Sequence, residues 1–330
     1  MGDPTGIGPE LIVKSLLEQS FEPVQHPIQI VGDAGILCQA GEIFGVRGIP
    51  EMLEEDLYVL HFGDKKLLVR ACSELNLSST HYGSPDSSCG SAMAVYVEYA
   101  ISRCLAGMAA GIVTCPINKA AINAAGYHFP GHTELLAKRC GVEKVVMMLA
   151  GERLKVCLVT THLPYREVPT QLSHREILRT IEITVQAFRQ QFGIDQPRLA
   201  VLALNPHASE NGLFGDEEEK IIAPAIKAAQ AEGIVATGPH SADTLFHFAA
   251  KGVYDAVICM YHDQGLIPLK LLHFDDAVNV TLGLPIVRTS VDHGTAYDLV
   301  GTGKANTASL IAALKMAGQM ANSTVKNQKP

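Results

Sequence analysis

Short apolar runs that alternate with helical patterns constrain this sequence more than any other feature. The runs are Ile28–Val31, Leu57–His61, Ala110–Thr114, Val145–Leu149, Lys155–Thr160, Leu199–Leu204, Ala256–Met260 and Val278–Thr281. Helical patterns lie among them at Glu10–Glu18, Ala92–Ala106, Glu134–Arg139, His174–Gln191, Glu217–Glu232, Thr244–Ala250 and Thr307–Met320. This alternation predicts a mostly parallel sheet covered by helices on both faces, because parallel neighbours need crossover connections and helices supply them. With 330 residues, 47% of them hydrophobic, the chain can build one large or two ordinary α/β domains. No internal repeat or low-complexity linker interrupts it. The polar stretch Ser78–Gly90 reads as a surface loop, and Ser323–Pro330 as a fraying tail.

The formal net charge is -8, with acids and bases interspersed. No basic stripe is present, so nucleic acid is not an expected partner. Small anions remain open, since local Lys and Arg can bind them inside an acidic protein. The eight cysteines form no C-x-x-C pair, and several lie in apolar runs. That is the usage of reduced, buried thiols in a cytoplasmic protein, not a disulfide framework. No apolar run approaches the ~20 residues that span a bilayer, and no export signal opens the chain.

Three histidines close apolar runs: His162 in Cys157-Leu-Val-Thr-Thr-His-Leu-Pro, His207 in Leu202-Ala-Leu-Asn-Pro-His-Ala, and His262 in Val257-Ile-Cys-Met-Tyr-His-Asp-Gln-Gly. A buried strand emptying into a polar tip is how an α/β fold places chemistry at the carboxyl edge of its sheet. Three neutral imidazoles converging there would form an open divalent-metal site. A single such histidine is more often a hydrogen-bonded structural residue; the threefold repetition of context favours ligands.

Four further segments carry candidate chemistry. Met1-Gly-Asp-Pro-Thr-Gly-Ile-Gly-Pro-Glu10 is a stiff glycine-proline loop entering a helix, with Pro9 suited to its first turn. It can cradle an anion or a cofactor, or be a plain turn. Pro285 through Asn306 contains His293-Gly-Thr-Ala-Tyr-Asp298 followed by Gly-x-Gly-x-Ala-Asn306. In Phe129-Pro-Gly-His-Thr-Glu134, His132 and Thr133 sit where a helix starts and can converge on an anion, unless Thr133 merely caps its own helix. Lys270, Asn279 and Arg288 are polar, and the last two interrupt apolar strands. Buried cations need an anionic partner, either a protein carboxylate or a substrate group.

The His293–Asn306 run resembles the adenosine loop of the isocitrate and isopropylmalate dehydrogenases, whose N-terminal glycine loop also recurs here. The resemblance implies a three-layer αβα fold with two domains around a cleft. Residues 1–130 plus 286–330 would form the cofactor side, and 131–285 the metal, substrate and dimerisation domain. More narrowly, His162-Leu-Pro, Asn205-Pro-His207, Ala242-Asp-Thr244, Tyr261-His-Asp-Gln-Gly265, Asn279 through Pro285 and Arg288 through Gly294 are similar to the 4-hydroxythreonine-4-phosphate dehydrogenases of vitamin B6 synthesis. That family's pattern implies metal ligands at His162, His207 and His262, and substrate contacts at His132, Thr133, Lys270, Asn279 and Arg288. The resemblance to the isocitrate and isopropylmalate dehydrogenases implies cofactor contacts at Gly6, Gly8, His293, Gly294, Thr295, Ala296, Asp298 and Asn306. The narrower family's pattern also implies a homodimer with a shared active site; the polar turn after His262 makes His262 the expected contribution from the partner. Family members ordinarily carry a first strand before the Gly-Asp-Pro loop, which this chain lacks; the resemblance therefore implies uncovered ladder groups beside it.

The implied reaction is NAD- or NADP-dependent oxidation of a secondary alcohol in a small phosphorylated hydroxy acid, followed by decarboxylation. Asp243, Asp263 and Lys270 are the candidate catalytic groups: either aspartate could relay a proton or orient a ligand histidine, and Lys270 could clamp an anionic end. Ligand softness favours zinc or cobalt over magnesium. Paralogues acting on D-threonate or D-erythronate 4-phosphate share Asn211–Glu218, so that segment does not choose the substrate. A metal-dependent hydrolase would use the same histidines without the nucleotide loop, and a non-catalytic binding protein would have lost ligands.

Overall fold

A computed structural model describes residues 1–21, 24, 26–129 and 131–327, without the side chains of 325–327. The chain divides into two compact units, residues 1–141 with 285–318 and residues 142–284 with 319–330.

In the first unit, α1 (Gly8–Leu17), β1 (Ile30–Asp33), α2 (Ala34–Ala40), β2 (Ile49–Glu54), β3 (Leu57–Phe62) and β4 (Lys65–Ser73) come first. Then follow α3 (Ser87–Leu105), β5 (Gly111–Thr114), α4 (Lys119–Ala124) and α5 (His132–Cys140). One sheet has the order β1-β4-β3-β2, parallel only between β1 and β4. Leu11, Leu37, Leu60 and Val69 are fully enclosed in its core. Helix starts follow local chemistry: Asp33, Asp86 and Asn118 accept from the backbone of Ile36, Cys89 and Ala121 as caps. Met1 lies beside β1, its amino group donating to the Val31 carbonyl at 2.8 Å.

The second unit contains β6 (Val146–Ala150), β7 (Lys155–Leu158), α6 (Val168–Gln171), α7 (His174–Gln191), β8 (Leu199–Leu202), α8 (Ala223–Ala231), β9 (Ala236–His240), α9 (Ala242–Ala249), β10 (Ala256–Cys259), α10 (His262–Leu272) and β11 (Val278–Leu282). The chain then re-enters the first unit with β12 (Val287–Val291), which pairs parallel with β5, and ends in α11 (Ala308–Asn327). The second unit's strands run in the order β11-β6-β7-β10-β8-β9. The four strands β7, β10, β8 and β9 are mutually parallel, while β6 is antiparallel to both of its neighbours. The architecture is of the expected α/β class, with antiparallel pairings in both sheets where a mostly parallel sheet was expected. Helix α7 opens on an N-cap, with Ser173 accepting from the Glu176 amide.

The differences from the sequence reading have local causes. Strand β2 is exposed at every position, so no apolar run marked it. Helix α10 replaces the polar turn expected after His262; Gly265 and Pro268 read as breakers, yet Gly265 is buried close to the Cys259 sulfur, where a Cβ would lie 2.9 Å away. The surface loop ends at Asp86, where α3 begins. Residues 323–327 continue α11 instead of fraying, and 328–330 lie outside the described residues, as does Pro130. All eight cysteines are free thiols, six of them buried. Burial pushes the Cys157 thiol up to about 12. Among the described residues, no helix is long and apolar enough to cross a membrane.

Candidate active site

Strand order explains where the three histidines go. Strands β7, β10 and β8 are adjacent and parallel, so their carboxyl ends open on one edge of the sheet. His162, His262 and His207 follow those three ends. The edge is stitched: Thr160 Oγ1 donates to the Met260 carbonyl at 2.7 Å. Buried Gln264 accepts from the Met260 amide and donates to the Ala203 carbonyl, each at 2.7 Å. The His162 and His262 rings come within 5.5 Å of each other in the same chain. The His207 ring lies 6.3 Å from that of Phe214. Among the described residues of this one chain, no group of three His, Cys, Asp or Glu side chains is spaced to hold a metal.

The two aspartates differ. Asp263 Oδ1 lies 2.7 Å from His262 Nδ1, and Asp263 Oδ2 accepts from the Tyr165 hydroxyl at 2.6 Å. These bonds, Tyr165's first, hold the Asp263 carboxyl below its usual range. When His262 Nδ1–H donates to Asp263, Nε2 keeps its lone pair outward, which is how a carboxylate prepares a ligand histidine. Asp243, in the first turn of α9, accepts from Ser241 at 2.6 Å. That bond lowers its carboxyl most, with a smaller contribution from His207. Lys270 lies in the last turn of α10, 5.8 Å above the Phe274 ring, and Asn279 is half-buried on β11 opposite Leu149.

In the first unit, α5 opens with His132 and Thr133, so Thr133 is not the cap; Gly131 holds that position without a side-chain bond. Arg288, on β12, is 3% exposed and donates from Nη2 to Thr114 Oγ1 at 2.8 Å. Burial pushes its guanidinium down to about 10, so it stays charged at neutral pH. His132 is driven well below 6.5, by burial first and the Arg288 charge second. It is therefore a neutral imidazole, and its Nε2 is enclosed with no hydrogen-bond partner among the described residues. A charged fork and an unsatisfied neutral ring nitrogen suit an anionic, hydroxylated ligand.

The glycine loop and the His293–Asn306 run meet. The Ile7 amide donates to the Thr295 carbonyl at 3.1 Å, and Gly6 has no room for a Cβ without pressing on Thr295. Gly8 packs against the Met1 carbonyl instead. The Tyr297 hydroxyl donates to buried Asp3 at 2.5 Å. Glu10 accepts from the Gly301 amide at 2.9 Å, and Lys14 donates to the carbonyls of Gly303 and Ala305. His293 Nε2 is buried without a partner among the described residues. Gly294 and Asp298 are exposed, Ala296 has φ 44°, and the Asn306 side chain caps α11 through the Ala308 amide. Sequence reasoning gave no role to Asp3, Glu10, Lys14 and Tyr297, although Asp3, Glu10 and Tyr297 lie within the two motifs it singled out; Lys14 has only its i, i+4 spacing from Glu10 as a local signal.

Comparison with known proteins narrows the reading. The chain is 52% identical over 324 residues to the 4-hydroxythreonine-4-phosphate dehydrogenase of Geobacter metallireducens, covering 97% of this chain and 94% of the relative. The crystal structure of 4-hydroxythreonine-4-phosphate dehydrogenase from Klebsiella pneumoniae superposes with a TM-score of 0.85 at 39% identity, covering 97% of this chain and 96% of that one. A terephthalate 1,2-cis-dihydrodiol dehydrogenase from Burkholderia xenovorans shares the fold at a TM-score of 0.63 and 28% identity, covering 96% of each chain. These relatives are all dehydrogenases, and the present protein is a dehydrogenase as well. The family model for pyridoxal phosphate biosynthetic protein PdxA matches residues 24–317, and the chain belongs to that family.

Proposed function

We propose that this enzyme oxidises 4-phosphooxy-L-threonine with NAD to 2-amino-3-oxo-4-phosphooxybutanoate and NADH. The keto acid then decarboxylates to 3-amino-2-oxopropyl phosphate on the way to pyridoxine 5'-phosphate. The observation that carries the reading is the placement of His162, His262 and His207 after three adjacent parallel strands, with His262 oriented by Asp263. The naming of the relatives supports the substrate. An imidazole donor set suits zinc or cobalt better than magnesium, and His162, His207 and His262 would hold the ion with ligands drawn from two protomers, since no three are grouped in one chain among the described residues. Such an ion, when bound, supplies a Lewis acid that makes a substrate hydroxyl easier to deprotonate.

The remaining work falls to side chains of this chain. Arg288 and Lys270 bind the anionic ends of the substrate, and His132, Thr133 and Asn279 fix its orientation by neutral hydrogen bonds. Asp263 holds the His262 tautomer. Asp243, ionised and beside His207, is placed to take up a proton. The loop from His293 to Asn306, with Gly6 packed on Thr295, receives NAD or NADP.

A composite site in a homodimer completes the proposal. Helix α10, which begins at His262, exposes Ile267 and Leu271 at 67% and 85%, and Phe274, just past its end, is exposed at 76%. Large apolar side chains exposed along and just past one helix suit burial against a second copy. The test is an assay of NADH absorbance with 4-hydroxythreonine phosphate and D-threonate phosphate side by side, with and without prior chelation. Turnover of the amino acid phosphate, lost on chelation and restored by cobalt, is expected. Preference for D-threonate phosphate would overturn the substrate, and full activity after verified metal removal would overturn the metal.

A further inference from the structure

The segment Asn211–Glu218 has no part in the reaction described above, although it follows His207 directly. Its backbone is unusual. His207, Ala208, Ser209, Glu210 and Asn211 all have positive φ, between 45° and 65°. Five successive residues other than glycine in the left-handed region carry a cost at each position, so the surrounding structure must hold them there.

The holding contacts are visible. Glu218 is 3% exposed, and one of its carboxylate oxygens accepts from the amides of both Leu204 and Asn205 at 2.7 Å. The other accepts from the Asn205 side-chain amide at 2.9 Å. Glu217 accepts from the same amide group at 2.7 Å. Gly215, at φ 131°, lies so near that a Cβ there would come within 2.6 Å of both Asn205 Nδ2 and the Glu217 carboxylate. Glu218 also begins a wider helical turn, Glu218–Ile222, that leads into α8. The carboxylate is therefore fixed at its base by a helix and at its tip by the end of β8. Between those two anchors hangs the left-handed turn with His207 on it.

We propose that Glu218 is a positioning residue for His207. Its buried carboxylate, assisted by Glu217, clasps Asn205 and so aims the strained turn that presents the imidazole. This rests on the reading of His207 as a metal ligand. Partners that orient a ligand contribute roughly ten- to a hundredfold to metal affinity.

The experiment compares the full-length wild type with Glu218→Gln, Glu218→Ala and His207→Ala. Each apoprotein is titrated with Co²⁺ by its visible absorption, melted thermally, and followed by amide hydrogen exchange. Glu218→Gln is expected to weaken Co²⁺ binding about ten- to a hundredfold, shift the Co²⁺ band, and speed exchange at residues 207–211, with little change in melting temperature. Glu218→Ala should do more, and if it does not fold, the Gln variant carries the test. Wild-type Co²⁺ affinity, band and exchange in Glu218→Gln would overturn the inference. So would a large fall in melting temperature with wild-type Co²⁺ affinity, because Glu218 would then be a structural anchor only. His207→Ala separates the two readings. If it keeps wild-type Co²⁺ affinity, the ligand role of His207 fails, while exchange at 207–211 in Glu218→Gln still decides whether Glu218 holds the turn.

Discussion

Two residues of the first unit have opposite electrostatic fates. Arg288 stays charged in its enclosed position, and His132 beside it is forced neutral. In the unfolded chain His132 returns to its ordinary value near 6.5. Below that pH the unfolded state binds a proton that the folded state refuses, so stability falls as pH drops from about 6.5 toward the lower folded value. In His132→Asn this part of the acid sensitivity should vanish. Urea midpoints at pH 7 and pH 5 check it, and an unchanged slope in the variant would sink the assignment. The wild-type ring should also remain neutral by NMR at pH 6.5, where an ordinary imidazole is half protonated. For substrate binding, Arg288→Lys keeps charge but loses the planar fork, and Lys270→Ala loses charge outright. A charge-assisted contact to phosphate contributes about 1.5–3 kcal/mol. Each variant should raise the Michaelis constant for the phosphorylated substrate roughly ten- to a hundredfold on that scale, leaving that for NAD near wild type. Equal rises for both would mark the two cations as structural.

Helix α1 acts as a clamp as well as a core element. It is buried on nearly every side, Leu11, Ile12 and Val13 included, while Glu10 and Lys14 reach the 301–305 loop. Lys14→Met keeps the apolar stem and removes two bonds to loop carbonyls. At about 0.5–1.5 kcal/mol per bond, the Michaelis constant for NAD should rise several-fold, with that for the substrate unmoved. Steady-state kinetics with each ligand varied in turn would show this, and an unchanged NAD constant would mean that the loop does not serve the cofactor. The helical pattern of α7 and the apolar runs of β7, β8 and β10 were legible in the sequence because each signal is local. Strand β2, helix α4 and helix α10 were not, because exposure, shortness and internal Gly or Pro erase the local pattern.

At the level of the whole molecule, one chain brings the His162 and His262 rings together, and among its described residues no three ligand side chains are grouped to hold a metal. If a second protomer completes the site, inactive single variants should complement one another. Mixing His162→Ala with His262→Ala, and each of these with His207→Ala, tests all three pairs. Activity should return, to about one intact site per heterodimer, only for pairs whose two histidines come from different protomers. The pattern of recovery identifies the shared ligand. Confirmed subunit exchange without recovery in any mixture would show that each protomer works alone. A polar residue in place of Leu271, such as Leu271→Asp on the exposed face of α10, should weaken the dimer in sedimentation experiments while leaving the fold intact.

The sequence by itself determined the class of fold and the three strand ends that carry histidines, because apolar period and strand termini are properties of adjacent residues. It also carried the family resemblance, through motifs spread over most of the chain. Only the tertiary structure decided that β10 lies between β7 and β8. Strand order is set by non-local pairing, and it brings the His262 ring beside that of His162, a hundred positions away in sequence. The same holds for Glu218. In Asp216-Glu-Glu-Glu-Lys220 its neighbours have the composition of a solvated face, and nothing local separates it from Glu219. Folding buries one and exposes the other. Burial with three backbone and side-chain donors is a fact of assembly, and it is what turns an ordinary acidic residue into the clasp of the His207 turn.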